Sequence, residues 1–244
     1  MPRAGRWTPI AERALLWYAP PEQSTEAVVK GARYIVVEGP IGVGKTTLAR
    51  LLAEEFSARP ILEQVEDNPF LKKFYDEPGA YAFQTQLFFL LSRYRQQRQL
   101  AQQDLFNQST VADYLFAKDQ IFAQANLEGD ELALYRQLFG LLDARLPKPD
   151  LVVYLQARGE VLMERLRKRD RDYERRIAPE YVQRIAEAYR DFFFYYEETP
   201  LLVVNSSEVD FVAHSDELAD LVREIKAMGR GVQHYIPLGS RYPG

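Results

Sequence analysis

The chain alternates short, largely apolar runs with longer segments in which apolar residues recur at helical spacing. Such runs are typical of buried strands, and such spacing is typical of helices that pack on one side. The pattern predicts strands at residues 34–37, 60–62, 109–113, 151–155 and 201–204. It predicts helices from residue 45 onward and at residues 70–75, 81–103, 114–127, 131–144, 159–169, 179–196 and 215–226. This alternation predicts an α/β fold, a parallel sheet covered by helices on both faces.

Between the first strand and the first helix lies the sequence GPIGVGKT, which fits the phosphate-loop pattern GxxxxGK[ST]. Glycines let the main chain turn tightly, so that successive amides point at phosphate oxygens. Lys45 would supply positive charge to the β- and γ-phosphates, and the Thr46 hydroxyl would hold Mg²⁺. The segment is therefore expected to bind a nucleoside triphosphate. The expected contacts are Gly39, Pro40, Ile41, Gly42, Val43, Gly44, Lys45, Thr46 and Thr47.

Composition narrows the class of protein. The chain has 244 residues, 47% of them hydrophobic, which suits one domain with a sizeable core. Its net charge of −4 provides no global basic field for nucleic acid. Cysteine is absent, which excludes disulfides and cysteine-ligated metals. Neither a membrane-spanning apolar run nor the apolar core of a signal peptide is found, so a cytoplasmic protein is expected.

Acidic residues follow two of the predicted strands. Parallel strands place ligands at their carboxyl ends, which is where Glu63 follows the second strand and Asp113 ends the third. A carboxylate at Glu63 could accept the proton of a hydroxyl that attacks the γ-phosphate. Glu66 and Asp67 fit that role on spacing alone, and a strand-end acid can also simply face solvent.

Two polar patterns lie on predicted helices. Residues 165–176 are rich in arginine, and Arg165 and Arg169 share one helical face. Arginines on a lid would neutralise a phosphoryl group in transfer, although a solvated helix end would have the same composition. Gln86 and Arg93 also share a face. A buried glutamine amide could bind the edge of a base, although an ordinary polar face remains an alternative.

Several blocks of the chain resemble the deoxynucleoside kinase family, and within it the bacterial deoxyguanosine kinase branch. The blocks are GPIGVGKTT, ILEQVEDNPFLKKFYDEP, YAFQTQLFFLLSRYRQ, VADYLFAKDQIFA, LPKPDLVVYL and ERLRKRDRDYERRI. They follow the family's order and approximate spacing between residues 33 and 226. The resemblance implies an ATP- and Mg²⁺-dependent kinase, a doubly wound five-stranded parallel sheet with a basic lid, and a homodimer.

The resemblance also implies roles for single residues. Glu63 matches the base that acts on the 5′-hydroxyl, while Tyr75 and Glu174 match residues that bind the 3′-hydroxyl. Gln86 matches the base-reading glutamine and Phe122 the stacking aromatic. The remaining matches are the lid arginines Arg165, Arg169 and Arg171, and the donor-adenine loop Asp210 and Phe211.

The chain departs from the family pattern after the third strand. Many members carry an acid-Arg-Ser triplet there, whereas this chain reads Ala112-Asp113-Tyr114. Asp113 could still hold Mg²⁺ with Thr46 and Glu63, but what replaces the arginine is open.

Two donor-only side chains, Arg93 and Lys118, are expected beside the base. Guanine presents the acceptors O6 and N7 on one edge, whereas adenine presents N7 and an amino donor. The pair therefore favours deoxyguanosine, with deoxyadenosine second. If Lys118 turned outward, this argument would fail.

Residues 31–227 are expected to form the kinase domain, with the lid at about 165–177. An N-terminal arm, 1–30, and a C-terminal tail, 228–244, flank it. The alternatives are a deoxyadenosine/deoxycytidine kinase, a thymidylate kinase, or a non-catalytic ATP-binding regulatory subunit. The Asp-Arg pair typical of thymidylate kinases is missing at Asp113-Tyr114.

Overall fold

The strands of this protein form one parallel sheet in a computed structural model that describes residues 34–102, 109–209 and 211–237. The strands are β1 (Tyr34–Glu38), β2 (Arg59–Ile61), β3 (Thr110–Ala112), β4 (Leu151–Gln156), β5 (Leu201–Asn205) and β6 (Val232–Tyr235). Their order in the sheet is β2-β3-β1-β4-β5-β6, and each neighbouring pair is parallel.

Eight helices connect and cover the strands in the described parts of the chain. They are α1 (Lys45–Glu55), α2 (Leu71–Asp76), α3 (Pro78–Gln102), α4 (Lys118–Asn126), α5 (Gly129–Asp143), α6 (Gly159–Arg169), α7 (Pro179–Phe194) and α8 (Ser215–Ala227). The predicted helix at 114–127 begins four residues late, because 114–117 form a turn after β3. The predicted α/β class with helices on both faces is confirmed.

Strand alternation divides the core between the two faces of the sheet. On one face, residues such as Val37 and Val153 pack against α1 and α8. On the other, their neighbours Val36 and Val152 pack against α4 and α7. Successive side chains of a strand point to opposite faces, so continuous apolar strands require helices on both. A further apolar cluster lies among α2, α3, α4 and α5.

Within the described residues the sheet has six strands rather than the expected five. β6 lies within the segment assigned to the C-terminal tail and pairs with β5, with Leu201 opposite Val232. Its residues are mostly exposed, and Val232 keeps 51% of its surface. An edge strand has one neighbour and little burial, so it lacks the apolar run that identifies a central strand. The N-terminal arm 1–30, Asp210 and residues 238–244 lie outside the described residues.

Candidate active site

The order of the strands brings three predicted site segments together. β2, β3 and β1 are neighbours, and their carboxyl ends lead into Glu63, Asp113 and the phosphate loop respectively. Asp113 joins the three segments, because one carboxylate oxygen accepts from Thr46 Oγ1 at 2.5 Å and the other from the Glu63 main-chain amide at 2.7 Å. Parallel sheets bind ligands at this edge, so the predicted acids and the phosphate loop form one site.

The phosphate loop lies too close to its surroundings for side chains at two glycines. A Cβ on Gly39 would come within 2.5 Å of the Leu155 carbonyl oxygen, and one on Gly42 within 2.8 Å of the Leu162 carbonyl oxygen. Both residues also have positive φ angles, 154° and 84°. The loop therefore has the close main-chain packing and left-handed conformations that only glycine accommodates.

Lys45 points back into the loop that it follows. Its ammonium donates to the carbonyl oxygens of Gly39 at 2.7 Å and Pro40 at 3.1 Å. Burial, and next the positive charge of Lys118, lower the pKa of Lys45 to about 8. A phosphate group bound in the loop would supply the negative charge that offsets this burial.

Glu63 lies between two cations. Arg93 donates to Glu63 Oε1 through Nε at 2.8 Å and through a second nitrogen, while Lys118 Nζ donates to Oε2 at 2.6 Å. Arg93 also pairs with the fully buried Asp119. Burial alone would raise the pKa of the Glu63 carboxyl, but the charges of Arg93 and Lys118 outweigh it and hold that pKa well below its ordinary value. Glu63 is therefore ionised at neutral pH.

A cavity of about 250 Å³ opens beside this cluster. Every residue that was predicted to bind the acceptor nucleoside lines this cavity. These are Glu63, Tyr75, Gln86, Arg93, Lys118, Phe122, Arg171 and Glu174. Gln86 is buried, and Phe122 packs edge-to-face on Tyr189, which leaves an aromatic and an amide on the walls of a narrow space. We call this the inner cavity.

A second, more open cavity of about 800 Å³ also borders the phosphate loop. The predicted ATP contacts that line it are Gly42, Gly44, Lys45, Thr46, Thr47, Arg165, Arg169 and Phe211. We call it the outer cavity. Residues on the shared wall line both cavities; they are Gly42, Lys45, Thr46, Arg169 and Arg171. Several of the predicted phosphate-binding residues thus border both cavities.

The lid arginines have different partners in this structure. Arg169 pairs with Glu174, with an Nε to Oε2 distance of 3.0 Å, and Arg171 donates to the Tyr173 hydroxyl at 2.7 Å. Arg175 and Arg176 pair instead with acids on the surface. Arg169 and Arg171, two of the three predicted lid arginines, line both cavities.

Arg165 binds main-chain carbonyls. Its guanidinium donates to Val43 at 3.1 Å, Ser206 at 2.7 Å and Val209 at 3.0 Å. It thereby ties α6 to the phosphate loop and to the segment after β5. These contacts indicate that Arg165 holds the walls of the outer cavity together, whereas its role as a phosphate ligand stays a prediction.

Arg165→Ala is expected to lower stability by about 2 kcal/mol, because three buried carbonyls lose a charged donor. For a domain of this size that corresponds to a fall in Tm of about 4–8 °C. Arg167→Ala, an exposed arginine on the same helix, serves as the matched control and should change Tm little. Thermal unfolding and ATP titration of both variants test this. An unchanged Tm combined with weakened ATP binding would instead identify Arg165 as a phosphate ligand.

Three residues at the site were not predicted from the sequence. Glu38 is fully buried at the end of β1 and accepts from the amides of Gly39 and Leu115, so it fixes the start of the phosphate loop. Asp119 binds Arg93. Tyr173 stacks on Tyr75 with ring centroids 6.4 Å apart. An acid ending an apolar strand was a visible signal for Glu38, whereas nothing local distinguished the other two.

Tyr114 occupies the place next to Asp113 where the family triplet has arginine. The residue is fully buried, and its hydroxyl donates to Gln96 Oε1 at 2.8 Å. The Gln96 amide in turn donates to the carbonyl of Leu62, directly before Glu63, at 3.1 Å. Tyr114 thus supports the main chain that carries Glu63 but brings no positive charge to the site.

Among the helices of the described residues, none combines the length and the apolar character that crossing a membrane would require.

Comparison with known proteins agrees with this geometry. The deoxynucleoside kinase family model matches residues 35–229. Deoxyguanosine kinase of Bacillus subtilis is 35% identical over 202 residues, which cover 81% of this chain and 98% of the relative. Deoxyadenosine kinase of Dictyostelium discoideum is 33% identical over 196 residues, or 78% of each chain.

The fold is also that of a solved relative. The structure of deoxyadenosine kinase from M. mycoides with bound dATP superimposes with a TM-score of 0.69 at 22% identity, and covers 78% of this chain and 99% of the other. Because the family model spans most of the chain and the predicted site residues converge on one edge of the sheet, this protein is a member of the deoxynucleoside kinase family of phosphotransferases.

Proposed function

We propose that this protein transfers the γ-phosphate of ATP to the 5′-hydroxyl of a purine deoxynucleoside, with deoxyguanosine favoured and deoxyadenosine second. The observation that carries the proposal is the shared wall between the two cavities, where the phosphate loop meets Arg169 and Arg171. ATP in the outer cavity and a nucleoside in the inner cavity would meet at this wall. Glu63 lies on the nucleoside side of it.

Glu63 is the proposed base. In a loose transition state the attacking hydroxyl loses its proton late, so correct placement matters more than strong basicity. This fits a carboxylate whose basicity is reduced by two cations but whose position is fixed by them. Lys45 and Arg169 on the shared wall would offset charge on the phosphoryl group as it moves.

Magnesium fits the oxygen groups beside the phosphate loop. Thr46 and Asp113 are within hydrogen-bond distance of one another, and both offer the oxygen ligands that Mg²⁺ takes. Thr46, Asp113 and Glu63 would hold the ion, which supplies neutralisation of phosphate charge when bound. Among residues 34–102, 109–209 and 211–237, no three acids or histidines cluster closely enough to hold a metal by themselves. This suits Mg²⁺, which keeps phosphate and water ligands.

The inner cavity supports the assignment of nucleoside contacts. Tyr75 and Glu174 would bind the sugar hydroxyl, and Phe122 would stack on the base. Gln86 both donates and accepts, while Arg93 only donates. Donors facing the base suit the O6 and N7 acceptors of guanine. The similarity to the Bacillus subtilis protein named deoxyguanosine kinase supports the same preference.

The protein is further proposed to act in the cytoplasm as a homodimer in nucleotide salvage. Phe194 and Tyr195 at the end of α7 are 80% and 79% exposed, an arrangement that supports association through this helix. Other aromatic residues of this helix face inward, among them Tyr189 and Phe193 in the core.

Initial rates with the four deoxynucleosides and dTMP, each with ATP and Mg²⁺, test the proposed substrate. We expect kcat/KM for deoxyguanosine to exceed that for deoxyadenosine by about tenfold, the value of one well-placed base contact. Deoxyadenosine or deoxycytidine in first place would contradict the guanine preference. Activity on dTMP alone would contradict the role of Glu63, and no turnover at all would favour an ATP-binding regulatory subunit.

A further inference from the structure

Lys118 forms a buried ion pair with Glu63 in this structure. Its ammonium lies 2.6 Å from Glu63 Oε2, and its side chain is only 3% exposed. Arg93 takes the other oxygen, Oε1. The main-chain amide of Glu63 is bound by Asp113 at 2.7 Å. Glu63 is therefore held at both carboxylate oxygens and at its main chain, and in the described parts of the chain the donor to Oε2 is Lys118.

The charges around Lys118 balance as a group. Glu63 and Asp119 carry two negative charges, and Arg93 and Lys118 carry two positive charges. Asp113 and Lys45 line the next part of the same site. Without Lys118, one guanidinium would have to hold two buried carboxylates. Glu63 Oε2 would lose its donor while Arg93 still holds Oε1, so the carboxylate could turn about that remaining contact and leave its orientation.

We propose that Lys118 is a positioning residue for phosphoryl transfer, whose ammonium holds the Glu63 carboxylate against the wall of the inner cavity. The inference rests on the proposed role of Glu63 as base. In this role Lys118 acts in the same way whichever nucleobase the nucleoside carries. A lysine that reads guanine would act on KM for one substrate, whereas a lysine that positions Glu63 acts on kcat for all of them.

Lys118→Met and Lys118→Arg, assayed with deoxyguanosine and deoxyadenosine, separate the two roles. We expect Lys118→Met to lower kcat about 10- to 100-fold with both substrates, the usual effect of a misplaced catalytic group. KM should change less than about threefold, and Lys118→Arg should recover most of kcat because it restores the charged donor. Lys72→Met removes an exposed lysine of α2 and serves as the charge-matched control.

A rise in KM for deoxyguanosine alone, with a fall in the guanine-to-adenine ratio, would overturn the inference in favour of base reading. A rise in kcat would also overturn it, because it would mean that releasing Glu63 helps the reaction. Thermal unfolding of each variant identifies a loss of fold, in which case Lys118→Arg alone decides the question.

A double-mutant cycle with Glu63→Gln tests whether Lys118 acts through Glu63. We expect Lys118→Met to lower kcat much less in the Glu63→Gln background than in the wild type, because there is no carboxylate left to hold. An equal loss in both backgrounds would show that Lys118 acts independently and would overturn the inference. If Glu63→Gln itself were fully active, the proposed role of Glu63 would be the part that failed.

Discussion

Glu63→Gln is expected to lower kcat for deoxynucleoside phosphorylation by about 10²- to 10⁴-fold, the range that general bases contribute. The amide has nearly the same shape as the carboxylate but cannot accept the proton of the attacking hydroxyl. The amide also carries no negative charge to pair with Arg93 and Lys118, the two cations that bind Glu63. Steady-state rates at saturating ATP and deoxyguanosine measure the effect.

Glu66→Gln is the matched control for this substitution. Glu66 lies in the same segment, but its side chain is 72% exposed and lies 3.9 Å from Arg171. Exposed ion pairs contribute little, so kcat should change less than about twofold. Nucleoside and ATP binding to Glu63→Gln should persist, which separates loss of chemistry from loss of the site. A Glu63→Gln enzyme with near-normal kcat, or a larger loss at Glu66, would contradict the assignment.

Lys45→Ala is expected to lower kcat/KM for ATP by about 10²-fold or more, the scale of a single charged group lost from a transferring phosphoryl. Lys45 lies on the shared wall of both cavities, and its ammonium is held by two carbonyls of the loop. The positive charge of Lys45 therefore lies where the phosphoryl group would pass from ATP to the nucleoside. ATP titration and steady-state kinetics together measure binding and turnover.

Two further variants define the requirement at Lys45. Lys45→Arg keeps the positive charge. The Lys45 ammonium lies 2.7 and 3.1 Å from two carbonyl oxygens, a space that the larger, planar guanidinium does not fit. Lys45→Arg is therefore expected to restore little of the lost kcat/KM. Lys168→Ala removes an exposed lysine that lines the outer cavity and should reduce kcat/KM less than about threefold. Equal effects at Lys45 and Lys168 would mean that only the general positive field matters.

The spacing of residues along the chain was sufficient to predict much of the site. The phosphate loop is one continuous segment between a strand and a helix, so residues 39–46 could be assigned without knowledge of the rest of the fold. Glu63 and Asp113 could be placed near it because parallel strands bring their carboxyl ends to one edge. The family resemblance, which the comparisons confirm, extended the assignment to the inner cavity.

Contacts between distant elements could not be predicted in this way. The Arg93 and Lys118 side chains come from α3 and α4, and they meet at Glu63 only because those helices pack beside β2 and β3. The donation of Arg165 to carbonyls of two separate loops was likewise not visible in the sequence, and its predicted role at phosphate stays a prediction. Pairing among buried charges depends on packing geometry, which residue spacing does not encode.

The α/β class, the phosphate loop, the acids at the strand ends and the family could all be inferred from the amino-acid sequence, because each rests on a short-range pattern or on the order of motifs along one chain. The strand order, the sixth strand at the exposed edge and the two neighbouring cavities became visible only in the folded chain. So did the position of Glu63 between Arg93 and Lys118. Those features arise where elements far apart in the chain bury charge and surface against each other, so they exist only once the chain has folded.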